Sequence, residues 1–271
     1  MKTVIHVWTH DFNIDQKHID KYNHLKEKNF YFGLGDLIRS TIKLYELSKI
    51  MQFRFFVDIQ LHPISHFLKI EEHEYSSYVE EHKQNVDYVC YGAVEDYINE
   101  HTDNDIMLIL TNDFYDGEIR SDCKSFIKNI FTPNTKFQNF IQNKKNKIPY
   151  NNYNILHYRI GDNDFLNISN AEKYDSYLTH LLKNKEENDI LVTDTKGLKQ
   201  FLYLNSDIFI FDTKICHLGL SKDLDAVRDT LFEFLLISDC SKIKTYCKIH
   251  EISGFVKWIS KIYEIPIQCF R

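Results

Sequence analysis

The sequence predicts an α/β protein of two Rossmann-like, doubly wound domains facing each other across a cleft, and three observations carry that prediction. Short apolar runs rich in Val, Ile, Phe and Tyr alternate with longer stretches of helical period. The alternation recurs in the second half, after a polar, charged, proline-punctuated segment from Gln142 to Asn152 that reads as a linker. The length of 271 residues suits one large domain or two compact ones of roughly 130 residues each.

In the first half Thr3–Trp8, Phe53–Ile59, Val86–Tyr91 and Ile106–Thr111 read as strands. Asp36–Met51 reads as a helix, because Ile38, Ile42 and Tyr45 share one face at helical spacing, as do Leu37, Leu44 and Met51. In the second half Tyr153–Arg159, Asp189–Thr193 and Ile208–Phe211 look like strands. Ala171–Lys183, Lys196–Leu204, Leu224–Ser238 and Ile252–Tyr263 look like helices. Strand–helix alternation of this kind implies parallel sheets with helices on both faces. Ligands then bind outside the carboxyl ends of the strands. The expected domains are residues 1–147 and 148–271.

Composition narrows the function. Hydrophobic residues make up 43% and charged residues 27%, ordinary values for a globular chain. A net charge of −6 argues against a broad nucleic-acid surface, which needs clustered Lys and Arg. The apolar start Met1–Trp8 is too short for a signal peptide and is followed by no small-residue cleavage site. No run reaches the roughly 18–20 apolar residues that span a bilayer. The expectation is a soluble, cytoplasmic protein. Its six cysteines are scattered without C-x-x-C spacing and are expected to be reduced.

The strongest local signal is Asn154-Ile155-Leu156-His157-Tyr158-Arg159-Ile160-Gly161-Asp162. A buried strand runs into a turn and delivers His, Arg, Gly and Asp together at its carboxyl end. An arginine there can fork onto two phosphate oxygens at any relevant pH. His157 and Arg159 are two apart, so their side chains point the same way and Tyr158 the other. Gly161 permits a tight turn and close backbone approach. The alternative is an Arg–Asp ion pair closing the turn.

This His-x-Arg-x-Gly-Asp resembles the donor-binding motif of the fucosyltransferase superfamily, which comprises GT-B enzymes of the α-1,2-, α-1,6- and protein O-fucosyltransferase kinds. The resemblance implies that Arg159 binds the diphosphate of GDP-fucose and that His157 lies near the nucleotide. Many members carry a second basic residue where this chain has Ile160, a departure from the α-1,2 and α-1,6 groups. Phe32-Gly33-Leu34-Gly35-Asp36-Leu37 resembles the family's N-terminal Gly-x-Gly-Asn loop, with Asp36 in place of Asn. Gly33 and Gly35 would let backbone N–H groups approach a phosphate or sugar. Asp36 reads either as a helix N-cap or as the base that takes a proton from an acceptor hydroxyl. An insertion at residues 10–31 precedes this loop, and could shape the acceptor side.

Further segments match in order. Asp229–Cys240 followed by Ile252-Ser253-Gly254-Phe255 is similar to the family's helix, short strand and Ser-Ser-Phe turn. Ser253, Gly254 and Phe255 would open a helix towards the phosphates, Ser253 serving equally as an N-cap. Asp229 would touch either the nucleotide or a neighbouring helix. Leu191-Val192-Thr193-Asp194-Thr195 resembles the family's Ser/Thr-Asp at a strand end, with Asp194 either on the cleft floor or capping the next helix.

Metal signals are weak. His62 and His66 flank Pro63 in a loop, and His6 and His10 straddle a strand end. Asp103-Asn104-Asp105 and Asp162-Asn163-Asp164 have the Asp-x-Asp form of a different, single-sheet glycosyltransferase fold. No metal and no cofactor beyond the nucleotide-sugar donor is therefore expected.

The resemblance thus implies inverting transfer of a sugar, L-fucose from GDP-fucose, to a hydroxyl of a glycan or protein. The second half would hold the donor and the first half the acceptor. Arg159 would be catalytic, with Asp36, Asp162 or Asp164 as base. The rivals are the same fold with another nucleotide-sugar donor, and a non-catalytic carbohydrate- or nucleotide-binding module. A nucleotide-sugar hydrolase or a flavodoxin-like regulator stands behind both.

Overall fold

The computed structural model describes residues 1–9, 32–101, 105–160, 175–219, 221–247 and 252–270. The insertion at 10–31, Gly161, Asp162, Asp164, the start of the expected Ala171–Lys183 helix and most of the Asp103–Asp105 triplet lie outside them. The chain forms two compact units, Met1–Phe137 with His217–Lys222, and Gln138–Cys216 with Asp223–Arg271.

The first unit is built on a parallel sheet in the order β2-β1-β4-β3. Its strands are β1 (Thr3–Val7), β2 (Arg54–Asp58), β3 (Asp87–Val89) and β4 (Ile106–Thr111). All five residues of β1 are buried, as befits a central strand covered on both faces. The register aligns Ile5 with Phe56 on one side and Leu108 on the other. Helix α1 (Leu34–Met51) packs Leu44 and Leu47 against Val4, Val89, Met107 and Ile109. It ends where Gln52 adopts a left-handed conformation (φ 59°). Val94 and Ile98 of α3 (Val94–Glu100) complete that layer. Two shorter or more peripheral helices, α2 (Ser76–Glu81) and α4 (Ser121–Ile130), also belong to this unit.

Helix α5 (Thr135–Lys145) corrects the linker reading. Gln142–Lys145 are its last residues, and the division between the compact units falls inside it, after Phe137. Its polar composition belongs to an exposed helical face, which in sequence resembles a solvated connection.

The second unit has a five-stranded parallel sheet in the order β7-β6-β5-β8-β9. The strands are β5 (Asn154–Arg159), β6 (Asp189–Thr193), β7 (Phe209–Ile210), β8 (Ile243–Cys247) and β9 (Ile267–Cys269). Counted within the unit this is the order 3-2-1-4-5 of a nucleotide-binding Rossmann sheet. Helices α6 (Asp175–Asn184) and α7 (Lys196–Asn205) bury Leu181, Leu198 and Leu202 on Leu156, Tyr158 and Leu191. Crossovers between parallel strands are right-handed, so connections leaving β5 one way and β8 the other cover opposite faces. The second layer is α8 (Leu224–Ser238) with α9 (Gly254–Tyr263), joined by the edge-to-face pair Phe234–Phe255.

Candidate functional site

In the second unit the direction of strand succession reverses between β5 and β8, and ligands of open parallel sheets bind at that reversal. His157 and Arg159 leave β5 on its carboxyl side, with Thr245 and Cys247 directly opposite them on β8. His157 is buried and shares a 2.9 Å hydrogen bond between its Nδ1 and Thr245 Oγ1. Tyr158 lies in the other layer, as period two requires, where it is bonded to His180 Nδ1 and stacked on Tyr246. Arg159 keeps a quarter of its side chain exposed, with Nη1 3.7 Å from Asp194 Oδ2.

Asp194 does not cap a helix. Thr195 holds the N-cap position of α7, because the helix begins one residue later than an Asp194 cap would require. Asp194 Oδ1 instead accepts from the Ile160 N–H at 3.0 Å and from the Thr195 hydroxyl at 3.2 Å. It ties the exit of β5 to the exit of β6, with the Arg159 guanidinium nearby.

Ser253 holds the N-cap position of α9, but its hydroxyl makes no capping bond. Gly254 is exposed, and a Cβ there would meet nothing within 4 Å. The first residue of this ten-residue helix, which follows β8 in the chain, thus has open space beside its Cα, while the cap residue Ser253 is buried. Phe255 belongs to the packing between α8 and α9.

Asp229 is buried on α8 and touches the loop after β7 as well as its own helix. Its Oδ2 accepts from Lys214 N at 2.9 Å, while Oδ1 receives the Arg228 guanidinium at 3.1 Å. The same loop is held by a buried cluster that the sequence did not announce. Lys199 Nζ donates to Thr213 O at 2.9 Å and to Glu233 Oε1 at 3.2 Å, and Thr213 Oγ1 donates to Glu233. Each partner comes from a different element, so no local motif marks the cluster. Thr245 escaped for the same reason, since strand register alone brings it to His157.

In the first unit the Gly-rich segment corrects two expectations. Gly33, not Asp36, is the N-cap of α1, because the helix starts at Leu34. Asp36 stands in the first turn and reaches back to accept the Gly33 N–H through Oδ2 at 3.0 Å. That N–H is thereby already bonded. Asp36 Oδ1 lies 3.0 Å from Arg39 Nη2. Gly35 is an early helical residue of α1. His217 lies against Gly33, and the sequence reading passed it over because it sits far away in the chain without a motif.

Both buried histidines on central strands resist protonation. Burial lowers His157 from 6.5 to about 3, with the Arg159 charge adding to the effect, and burial alone lowers His6 to about 3. Between those values the unfolded chain binds a proton that the folded chain excludes, so stability falls as pH drops below 6.5. Each histidine contributes a slope of about 1.4 kcal/mol per pH unit in that window. Urea unfolding at pH 7, 6 and 5 measures it. His157→Gln should remove one histidine's share of the slope, and an unchanged slope would contradict the buried neutral ring.

Among the described residues, no group of three or more His, Cys, Asp or Glu side chains is gathered as a metal site would require. All six cysteines carry thiols in the structure. No helix among the described residues is long and apolar enough to cross a membrane.

No family model matches the sequence, and no curated protein matches it. Solved structures do. The fucosyltransferase NodZ from Bradyrhizobium is similar at a TM-score of 0.53 and 10% identity, over 95% of this chain and 91% of that one. NodZ alpha-1,6-fucosyltransferase soaked with GDP-fucose matches at 0.53 and 10% identity, over 98% and 94%. A mutant of Arabidopsis thaliana FUT1 in complex with GDP matches at 0.52 and 10% identity, over 99% of this chain and 70% of that one. Two parallel α/β units, the second in Rossmann order, together with these likenesses over nearly the whole chain, give this protein the GT-B fold of the fucosyltransferases.

Proposed function

We propose that this chain is a glycosyltransferase that moves a sugar, L-fucose from GDP-fucose, to a hydroxyl of a glycan or protein acceptor. The observation that carries the reading is Arg159, part-exposed at the carboxyl end of β5 where the sheet order reverses. The N-terminus of α9, whose first residue Gly254 is exposed, follows the neighbouring strand β8 in the chain. A guanidinium and a helix N-terminus are the groups that bind a diphosphate. Structures of similar fold hold GDP or GDP-fucose, which supports the same donor here.

In the proposed reaction the acceptor oxygen bonds to the anomeric carbon with inversion. The bond from that carbon to the diphosphate breaks, leaving its electron pair on the phosphate oxygen. Arg159 and the first N–H groups of α9 stabilise that charge, so no metal is needed. His157, neutral and anchored to Thr245, serves donor binding together with Asp194, Ser253 and Gly254, a role the family resemblance also implies for Gly161, while Phe255 supports them through its packing on α8. Asp229 holds the neighbouring loop. Asp36 takes the acceptor's proton, with Asp162 and Asp164 as the other candidates. Residues 1–147 serve the acceptor and 148–271 the donor, and the enzyme works in the cytoplasm with its thiols reduced.

Calorimetry with GDP, UDP, CMP and their sugars, with and without a chelator, tests the reading. Selective, chelator-insensitive binding of GDP and GDP-fucose is expected. Preference for UDP would replace the donor, and binding of none would remove the assignment. Binding without turnover on any acceptor would favour a non-catalytic module.

A further inference from the structure

A groove of about 500 Å³ runs along β7, the edge strand of the second sheet. Its walls come from the end of α5 and the segment after it, from the end of α7, and from β7 with its flanking residues. All of them lie in the second unit. The strand order β7-β6-β5 puts β6 between this groove and Arg159, and none of the described residues proposed for the donor lines it. The lining is aromatic and polar at once. Tyr203 is two-thirds exposed (66%), and Tyr150 meets Phe209 edge to face with ring centroids 6.4 Å apart.

The backbone along this edge is already engaged. On one side of β7 the Ile208 N–H donates to Ser206 Oγ at 3.4 Å. On the other, Phe211 O accepts the Thr213 N–H at 2.9 Å and Asp212 O accepts Lys144 Nζ at 3.2 Å. A two-residue edge guarded by a lysine resists the addition of a peptide strand. The groove therefore recognises its ligand through side chains. Asp207 is paired with Lys185. Among the described residues, the Tyr150 and Tyr203 hydroxyls, the Lys147 ammonium and the Asp212 carboxylate have no hydrogen-bond or ion-pair partner. The charges left open are thus one of each sign.

We propose that this groove is a second binding site, for a neutral mono- or disaccharide portion of a glycan. A sugar ring has an apolar face of C–H groups that packs on an aromatic ring, and a rim of hydroxyls that both donate and accept. Tyr203, the most exposed of the rings, takes the apolar face. The Asp212 carboxylate accepts from a hydroxyl, the Lys147 ammonium donates to one, and the two phenols do either. Opposite open charges suit an uncharged, hydroxyl-rich ligand better than a phosphate or an acidic peptide, each of which would meet the carboxylate. The volume lies within the range of small-ligand sites, roughly 300–1,000 Å³. The site binds and performs no chemistry, so it stands whether or not the chain transfers a sugar.

The test titrates the full chain with lactose, maltose, cellobiose and N,N′-diacetylchitobiose by ligand-observed NMR, with and without GDP. At least one should bind with a Kd on the order of 1 mM, indifferent to salt and to GDP. Tyr203→Ala should weaken that binding about tenfold through loss of the ring contact. Tyr203→Phe, which keeps the ring, should stay within about threefold of the parent, and Arg159→Ala should change nothing. Lys147→Ala should weaken binding severalfold and reads the same groove from another exposed side chain, should the tyrosine variant lose its fold. Binding of none of these sugars, or sugar binding left intact by Tyr203→Ala and Lys147→Ala, would overturn the site. Salt-sensitive binding of pyrophosphate or of a glutamate-rich peptide, lost in Lys147→Ala and without any sugar binding, would replace the ligand class and overturn it equally.

Discussion

Arg159→Ala is expected to weaken GDP binding by about 1.5–3 kcal/mol, the worth of a charge-assisted hydrogen bond, or roughly 10- to 150-fold in Kd. Little loss of fold stability should accompany it. The guanidinium is part-exposed and its distance to Asp194 is a loose 3.7 Å. Asp194 keeps the Ile160 N–H and the Thr195 hydroxyl when the arginine is gone. An arginine that served only to close its turn would give the opposite pattern, with a lower melting temperature and unchanged GDP affinity. Calorimetry and thermal unfolding of the same variant decide between them, and that opposite pattern would sink the assigned role. Arg159→Lys should recover only part of the loss, because an ammonium does not fork onto two oxygens.

The second large effect falls on stability. Lys244 on β8 is buried, with Nζ 2.5 Å from the equally buried Asp189 Oδ2 and 2.8 Å from Asn184 O. The ammonium thus neutralises a carboxylate at the head of β6 and satisfies a carbonyl at the C-terminal end of α6, where a cation is favoured. Lys244→Met should cost about 3–5 kcal/mol, because it leaves an uncompensated charge in the core. The pair itself is worth far less than that. Lys244→Met with Asp189→Leu should therefore recover most of the loss. Urea unfolding measures both, and a single variant within about 1 kcal/mol of the parent would show that the core tolerates the carboxylate alone.

Elements announced by local pattern were read correctly from sequence. The strands Ile106–Thr111 and Asp189–Thr193 and the helix Leu224–Ser238 have the expected bounds. Each combines a hydrophobic period with breakers close by, and neither depends on distant residues. The helix Ser121–Ile130 was missed because it buries only Cys123 and Ile127, a stripe too thin to stand out. Lys244 could not be singled out either, since a lysine in a strand gives no sign that it is buried.

The candidate site divides along the same line. The clustering of His157 and Arg159 at a strand end was visible, because period two and strand polarity are local properties. Their surroundings were not. Asp36 and Asp194 were each one to three residues away from the capping position considered for them, and cap positions depend on where the helix starts.

The sequence by itself determined the fold class, the alternation of strands and helices, and the strand end at which Arg159 stands. These follow from hydrophobic periodicity and backbone preference, which act over a few residues. Only the tertiary structure decided that Thr245 meets His157, that Asp189 meets Lys244, and that His217 lies against Gly33. Those pairs are 88, 55 and 184 residues apart in the numbering of the chain. Their energies come from desolvation and short-range contact, which act only once strand order and register have brought the partners together.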